Sequence, residues 1–284
     1  MVIGDELSKV IGILKDNGNE NPYFEAHLIF RHILKLSPTD LVLSRNKEIS
    51  EEGIEIINSY VERRINHEPL QYILNSQEFM GIDFYVDENV LVPRQDTETL
   101  VEHILEHFKG GAINAIDIGT GSGCIAISIA KFNQNAHINA IDISKKALEV
   151  AKRNATDNGV LERINFIEAD IFNYEPYGKY DLIVSNPPYI KSADIDGLQR
   201  DVNGFEPRGA LDGGVTGLLF YERIVKISPK LLNTNGLLAF EVGFDQAEDV
   251  KRLMEKDFYD IKIINDLCGV ERVVSGLYRG NSCV

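Results

Sequence analysis

The sequence predicts an α/β chain: a helical N-terminal segment, a short β-hairpin, and a mainly parallel sheet flanked by helices. Three observations predict it. Apolar residues recur at helical spacing through about the first 66 residues, and between about 70 and 92 the pattern shortens and alternates. From about 114 onward, four-residue apolar runs alternate with helical stretches. Such βα alternation calls for parallel strands with helices on both faces. At 284 residues, 44% of them hydrophobic, the chain can build a core domain and a smaller second one.

The first helices follow from Leu7, Val10, Ile11 and Leu14, then Ala26, Ile29, Phe30, Ile33 and Leu34, then Ile54, Ile57, Val61 and Ile65. Asn21-Pro22, Ser37-Pro38 and Ser50 mark breaks and starts. Tyr72-Ile73-Leu74 and the run from Phe79 to Val86 read as short strands of a linking hairpin. Residues 97–108 return to helical spacing. Ala115-Ile116-Asp117-Ile118 is the first strand of the sheet, and residues 124–132 are its helix. Ile138 to Ile141 is the second strand, followed by a helix over residues 144–158 with Ser144 at its N-cap. Phe166 to Ala169, Asp181 to Val184 and Leu237 to Phe240 give three more strands. Ile261 to Ile264 and Arg272 to Val274 are joined by too few residues for a crossover, so they form an antiparallel hairpin at the C-terminus. The expected domains are 1–68 (helical), 69–92 (hairpin linker) and 93–284 (sheet domain).

The net charge of −15 comes without a basic stripe, which argues against a chain that grips nucleic acid through many phosphates. Cys124, Cys268 and Cys283 form no Cys-x-x-Cys pair, so neither a disulfide framework nor a metal site is expected. With no signal peptide and no bilayer-length apolar run, a cytoplasmic protein without membrane contact is expected.

In an open parallel sheet, ligands sit beyond the carboxyl ends of the strands. After the first strand comes Asp117-Ile118-Gly119-Thr120-Gly121-Ser122-Gly123. Alternate glycines allow a sharp turn and close approach to a ligand. A plain β-to-α turn rarely needs three of them. The dinucleotide fingerprint ends in Gly or Ala where this chain has Cys124, so the spacing suits a ligand lacking a pyrophosphate. Asp117, just before the loop, could meet a cation. Asp142 follows the second strand, where a carboxylate can accept from both ribose hydroxyls or serve as a turn residue. Asp170-Ile171 follows the third, where the carboxylate could accept from an adenine amino group and the next N–H donate to the ring; a strand-end turn is the other reading. Ser185-Asn186-Pro187-Pro188-Tyr189 follows the fourth. Two prolines stiffen this segment and force Asn186 out of the helical region. The Asn186 side-chain oxygen and the Pro187 carbonyl can accept from an –NH₂ group, and Tyr189 can stack on a flat conjugated system. An amide nitrogen is a weak nucleophile because its lone pair is delocalised. Two acceptors aimed at its N–H bonds would orient it toward a sulfonium methyl and stabilise the charge that develops.

With Asp117-x-Gly119-x-Gly121-x-Gly123, the Asn-Pro-Pro-Tyr segment resembles the class I amino-methyltransferases. Further matches resemble the peptide chain release factor glutamine methyltransferases: Glu68 to Ile73, Glu78-Phe79, Phe84-Tyr85-Val86, Leu91-Val92-Pro93-Arg94, Phe205-Glu206-Pro207, Ala210-Leu211 with Gly213-Gly214, and Asp266-Leu267-x-Gly269-x-x-Arg272-Val273-Val274. The resemblance implies a helical N-terminal domain that docks the release factor and a Rossmann-like seven-stranded methyltransferase sheet. S-adenosyl-L-methionine is then the cofactor, bound by Gly119, Thr120, Gly121, Ser122, Gly123, Asp142, Asp170, Ile171 and Asn186. It implies methylation of the glutamine in the Gly-Gly-Gln motif of class I release factors. Asn186, Pro187, Pro188 and Tyr189 would meet that side chain, with Asn186, Pro187 and Tyr189 catalytic, and the enzyme would be a monomer. The family usually reads Pro-Arg-Pro-Glu-Thr-Glu where this chain has Pro93-Arg94-Gln95-Asp96-Thr97-Glu98, which shortens the reach of the acid. The family has a glycine where Asn75 stands, and Asn tolerates the same turn; Ile171 stands where an aromatic is common. A nucleic-acid adenine methyltransferase and a non-catalytic adenosine-binding module are the competing readings. The acidic charge weighs against the first and the intact Asn186 and Tyr189 against the second.

Overall fold

The computed structural model describes residues 1–174 and 177–280. The chain groups into two compact units, residues 1–75 with 199–205, and residues 76–198 with 206–284.

The first unit begins with α1 (Ile3–Asp16), α2 (Pro22–Leu34), α3 (Pro38–Leu43), α4 (Glu51–Ile65) and α5 (Leu70–Leu74). The start signals act as expected. Pro22 and Pro38 open their helices, and the Ser37 and Ser50 hydroxyls accept from the N–H groups of Asp40 and Gly53. Leu7, Val10, Ile29, Phe30 and Ile57 meet in one buried cluster. Tyr72-Ile73-Leu74, expected as a strand, is instead helical. Pro69 caps α5, Asn75 closes it at φ 50°, and Leu70, Tyr72 and Ile73 are buried. Three apolar residues are too few for periodicity to separate strand from helix, whereas the two caps decide it. Asn75 thus adopts the left-handed turn expected of it.

The second unit opens with a hairpin, β1 (Gln77–Phe79) and β2 (Ile82–Phe84), turned through Met80 and Gly81 at φ 53° and 69°. The strand stops at Phe84 rather than Val86. At Tyr85 the Asn154 side chain replaces a strand partner, accepting from the Tyr85 N–H at 2.8 Å and donating to its carbonyl at 3.0 Å. Then follow α6 (Glu98–Phe108), β3 (Ile113–Ile118), α7 (Cys124–Phe132), β4 (Ala136–Asp142), α8 (Lys145–Asp157), β5 (Ile164–Glu168) and β6 (Tyr180–Ser185). The short α9 (Arg200–Phe205) groups with the first unit. The chain ends with α10 (Leu219–Leu231), β7 (Leu232–Glu241), α11 (Ala247–Met254), β8 (Phe258–Asn265) and β9 (Glu271–Tyr278).

The seven strands run in the order β5-β4-β3-β6-β7-β9-β8, parallel except for antiparallel β9. This is the expected doubly wound, Rossmann-like sheet with its C-terminal hairpin. Strand residues alternate between two cores. Ala115, Leu182, Val184, Leu237 and Ala239 pack with α6 and α7, while Ile116, Ile118, Ile183, Leu238 and Phe240 pack with α10 and α11. No described helix is long and apolar enough to cross a membrane. Among the described residues no group of three side chains could hold a metal, and Cys124 and Cys268 are free thiols; Cys283 lies outside them.

Candidate active site

The chain leaves β3 for β4 and β5 on one side and returns to β6 on the other. Between β3 and β6 the order reverses, and a crevice opens beyond their carboxyl ends. A pocket of about 690 Å³ lies there, a size suited to a cofactor. Its walls bring together Gly119, Thr120, Gly121, Ser122, Asp142, Asp170, Ile171, Asn186, Pro187 and Pro188.

The glycine loop is tied down from beneath. Gly119 and Thr120 donate to the Ile141 carbonyl at 2.8 and 3.0 Å, and the Gly121 N–H donates to Asp142 Oδ2 at 2.9 Å. Gly121 has φ +54°, and a Cβ there would meet no atom within 4 Å, so it leaves open space at the wall. Gly123 does not line the pocket. It precedes α7 at φ +82°, and a Cβ would come within 2.8 Å of Ile127 and 3.1 Å of Ala151. Its smallness serves helix packing rather than ligand contact, a correction to the sequence reading.

Asp142 Oδ1 accepts from the Ser144 N–H at 2.9 Å. Burial raises its pKa, against the N–H groups of Ser144, Gly121 and Ile143. Asp142 therefore pins the turn and also lines the pocket. Asp170 likewise holds a turn, accepting from the Phe172 N–H at 2.9 Å and the Asn173 amide at 2.6 Å. Asp117 is not on the wall. It is fully buried and accepts from the Thr120 hydroxyl at 2.7 Å. Burial pushes its carboxyl up to about 7, and the charge of Asp142 adds to the effect.

Asn186, Pro187 and Pro188 line the same pocket, leaving β6 beside the glycine loop that leaves β3. Tyr189, expected as a stacking surface, is displaced from it. Its ring approaches Gly243, and its phenol feels Glu241, Arg272, Arg94 and Asp96. Its carbonyl accepts from Gln246 Nε2 at 2.9 Å, and Gln246 also bonds Gly217 and Gly243. Asp96 is away from the wall too, paired with Arg272 at 3.0 Å. Arg94, on the wall, forks onto both oxygens of buried Glu206 at 2.8 and 2.9 Å, joining two of the segments that carried the resemblance.

Sequence reasoning missed several residues here. Phe172 and Phe220 line the pocket and meet edge-to-face at 5.2 Å, supplying an aromatic surface beside Ile171. Their signal was one aromatic next to Asp170-Ile171. Thr97 lines the wall beside Asn186, and Glu241 lies behind both. The register of β6 and β7 sets Glu241 beside Asn186, and the turn before α6 brings Thr97 to the same place.

Residues 94–199 match the methyltransferase small domain, and residues 7–74 match the PrmC N-terminal domain. The release factor glutamine methyltransferase of Geobacter sulfurreducens is 42% identical over 93% of this chain and 93% of its own length. That of Clostridium acetobutylicum is 36% identical over 99% and 100%. The hMettl16 catalytic domain shares the fold at a TM-score of 0.57, 14% identity and coverage of 83% and 84%. A methyltransferase from Pyrococcus furiosus does so at 0.52, 22% identity and coverage of 71% and 90%. With relatives this similar over nearly its whole length, the chain belongs to the release factor glutamine methyltransferase family.

Proposed function

We propose that the protein transfers the methyl group of S-adenosylmethionine to the side-chain amide nitrogen of the glutamine in the Gly-Gly-Gln motif of class I release factors, in support of translation termination. The observation that carries this reading is Asn186-Pro187-Pro188 lining one pocket together with an open glycine loop, in a chain of this family.

The pocket fits the cofactor. Gly121 leaves its wall open where a side chain would intrude, Asp142 presents a carboxylate where a ribose diol would lie, and Phe172 and Phe220 offer a flat apolar surface for adenine. Asp170 and the Ile171 N–H remain the candidates for the adenine edge. The Asp142 carboxylate on the pocket wall also suits a cationic ligand. When bound, the cofactor supplies an electrophilic methyl on a sulfonium.

Asn186 Oδ1 and the Pro187 carbonyl accept from the two N–H bonds of the glutamine amide and aim its nitrogen. With the cofactor held there, the nitrogen lone pair would form the new N–C bond while the electrons of the S–C bond stayed on sulfur. One N–H proton would then pass to solvent water, leaving a neutral N-methylamide. Holding the nitrogen in line and matching its growing charge with fixed acceptors lowers the barrier. Tyr189, through its carbonyl and Gln246, anchors this segment from behind. Residues 1–68 serve as the docking domain for the release factor, and residues 93–284 as the catalytic domain.

The test is transfer of labelled methyl to a release factor carrying Gly-Gly-Gln. Labelling is expected, and Gln→Ala in the motif should abolish it. Labelling that survives this change, or that appears only on DNA, overturns the assignment.

A further inference from the structure

Asn186 works as an acceptor only if its amide is the right way round. A primary amide presents an oxygen on one side and NH₂ on the other, and only its hydrogen-bond partners choose between them. Strand alternation supplies those partners. Leu182 and Val184 on β6, and Leu237 and Ala239 on β7, face the same core. Continuing the period of two places Asn186 and Glu241 on that face as well. Ser185 pairs with Phe240, so the next residues, Asn186 and Glu241, leave the two strands side by side. Thr97, just before α6, reaches the same spot. Asn186 Nδ2 donates to Thr97 Oγ1 at 3.3 Å, and Thr97 and Asn186 both face the Glu241 carboxylate as donors. With its NH₂ engaged in this way, Asn186 has Oδ1 left for the pocket that it lines.

Glu241 is 1% exposed, and among the described residues its Oε2 has no hydrogen-bond partner. A buried carboxylate is costly, and an apolar residue at this strand end would fill the space without that cost. We propose that Glu241 is a positioning residue: as a carboxylate it takes an N–H of Asn186, fixes that amide with its oxygen toward the pocket, and so sets the acceptor that orients the substrate nitrogen. The inference rests on the role given to Asn186 above.

Ionisation of Glu241 then governs turnover. Burial pushes its carboxyl up to about 7, opposed by the Thr97 hydroxyl, Arg272 and the Asn186 amide, and reinforced by Asp96. The other groups that feel its charge are Tyr189, Tyr221 and Cys124, and burial raises the pKa of all three. A protonated Glu241 carries an O–H that can donate to the Asn186 oxygen, so the amide loses its fixed sense.

The experiment follows methyl transfer to a Gly-Gly-Gln release factor by the full chain, from about pH 5.5 to about pH 9. Calorimetry with S-adenosylhomocysteine and the Asn186 side-chain amide NMR signals, assigned with Asn186→Ala, run alongside. Wild-type kcat should rise through an apparent pKa near 7. Glu241→Gln should lose that limb and about 10-fold in kcat, and Glu241→Ala about 100-fold, with cofactor affinity held within about 2-fold. Glu241→Asp should restore part of the rate and the limb. Thr97→Val should lower kcat and Thr97→Ser restore it. An unaltered rate and limb in Glu241→Gln overturn the proposal. If Glu241→Ala does not fold, the decision falls to the wild-type amide signals. These must titrate near neutrality, and signals that stay fixed overturn the proposal. Signals that titrate in a protein that never labels a release factor would sink the substrate assignment and keep Glu241's role.

Discussion

Two glycines of one loop should fail in different ways. Gly123→Ala places a methyl group 2.8 Å from Ile127 Cδ1 and 3.1 Å from Ala151 Cβ, at φ +82°. The left-handed backbone costs an L-residue about 1–2 kcal/mol. Overpacking adds about 1–3 kcal/mol, toward the lower end here because the Ile127 methyl can swing away while Ala151 cannot. A loss of about 2–4 kcal/mol lowers Tm by about 4–16 °C for a unit of this size. Gly121→Ala, with φ +54° and no atom within 4 Å, incurs only the backbone term. Its Tm should fall by about 2–8 °C, but its methyl group projects where the cofactor would lie, and affinity for S-adenosylhomocysteine should drop by more than about 10-fold. Differential scanning calorimetry gives the first quantity and titration calorimetry, below both melting points, the second. The reasoning fails if Gly123→Ala melts with the wild type, or if Gly121→Ala binds as the wild type does.

Asn186→Ala should lower kcat by about 100- to 1000-fold, the scale of one transition-state hydrogen-bonding group, while affinity for S-adenosylhomocysteine stays within about 3-fold. Unchanged turnover would remove Asn186 from the mechanism. Phe172→Ala should weaken S-adenosylhomocysteine binding by about 5- to 30-fold, from about 1–2 kcal/mol of lost stacking, and an unaltered Kd would mean that adenine does not lie on this ring. For Asp117, burial raises the folded-state carboxyl to about 7 from 3.8, so between those values the folded chain binds more protons than the unfolded one. Stability from this group is present at low pH and is lost as pH rises through about 7, at up to about 1.4 kcal/mol per pH unit. Wild-type Tm should therefore fall more steeply from pH 5 to pH 8 than that of Asp117→Asn, which keeps an acceptor for Thr120. Parallel curves would refute the assignment.

What could be read from the letters follows from how far each pattern reaches along the chain. The sheet was legible because short apolar runs such as Ala115 to Ile118 and Leu237 to Phe240 recur in alternation with helical stretches. The loops at their ends were legible because glycine and proline act on their own backbone. Tyr72-Ile73-Leu74 was not, because three residues carry no period and the caps around them decide. Phe172 escaped for another reason: one aromatic after a strand has no meaning until Phe220, from α10, is brought against it.

Glu241 shows where local reading stops altogether. In sequence it is an acid at a strand end, followed by Val242 and Gly243, which suggests a solvated turn. In the fold it cannot reach solvent, because β9 pairs along β7 and sets Val273 opposite it, while Thr97 and Asn186 close the other side. The same step of two residues that buries Leu237 and Ala239 carries Glu241 into the core. The register with β6 then makes Asn186 its neighbour, although 55 positions separate them in the chain. A proline motif can stiffen the platform on which the substrate amide rests, but it cannot say which end of the Asn186 amide faces out. That choice belongs to the neighbouring strand, and substitutions at Glu241 should therefore change turnover without changing a single residue that touches the substrate.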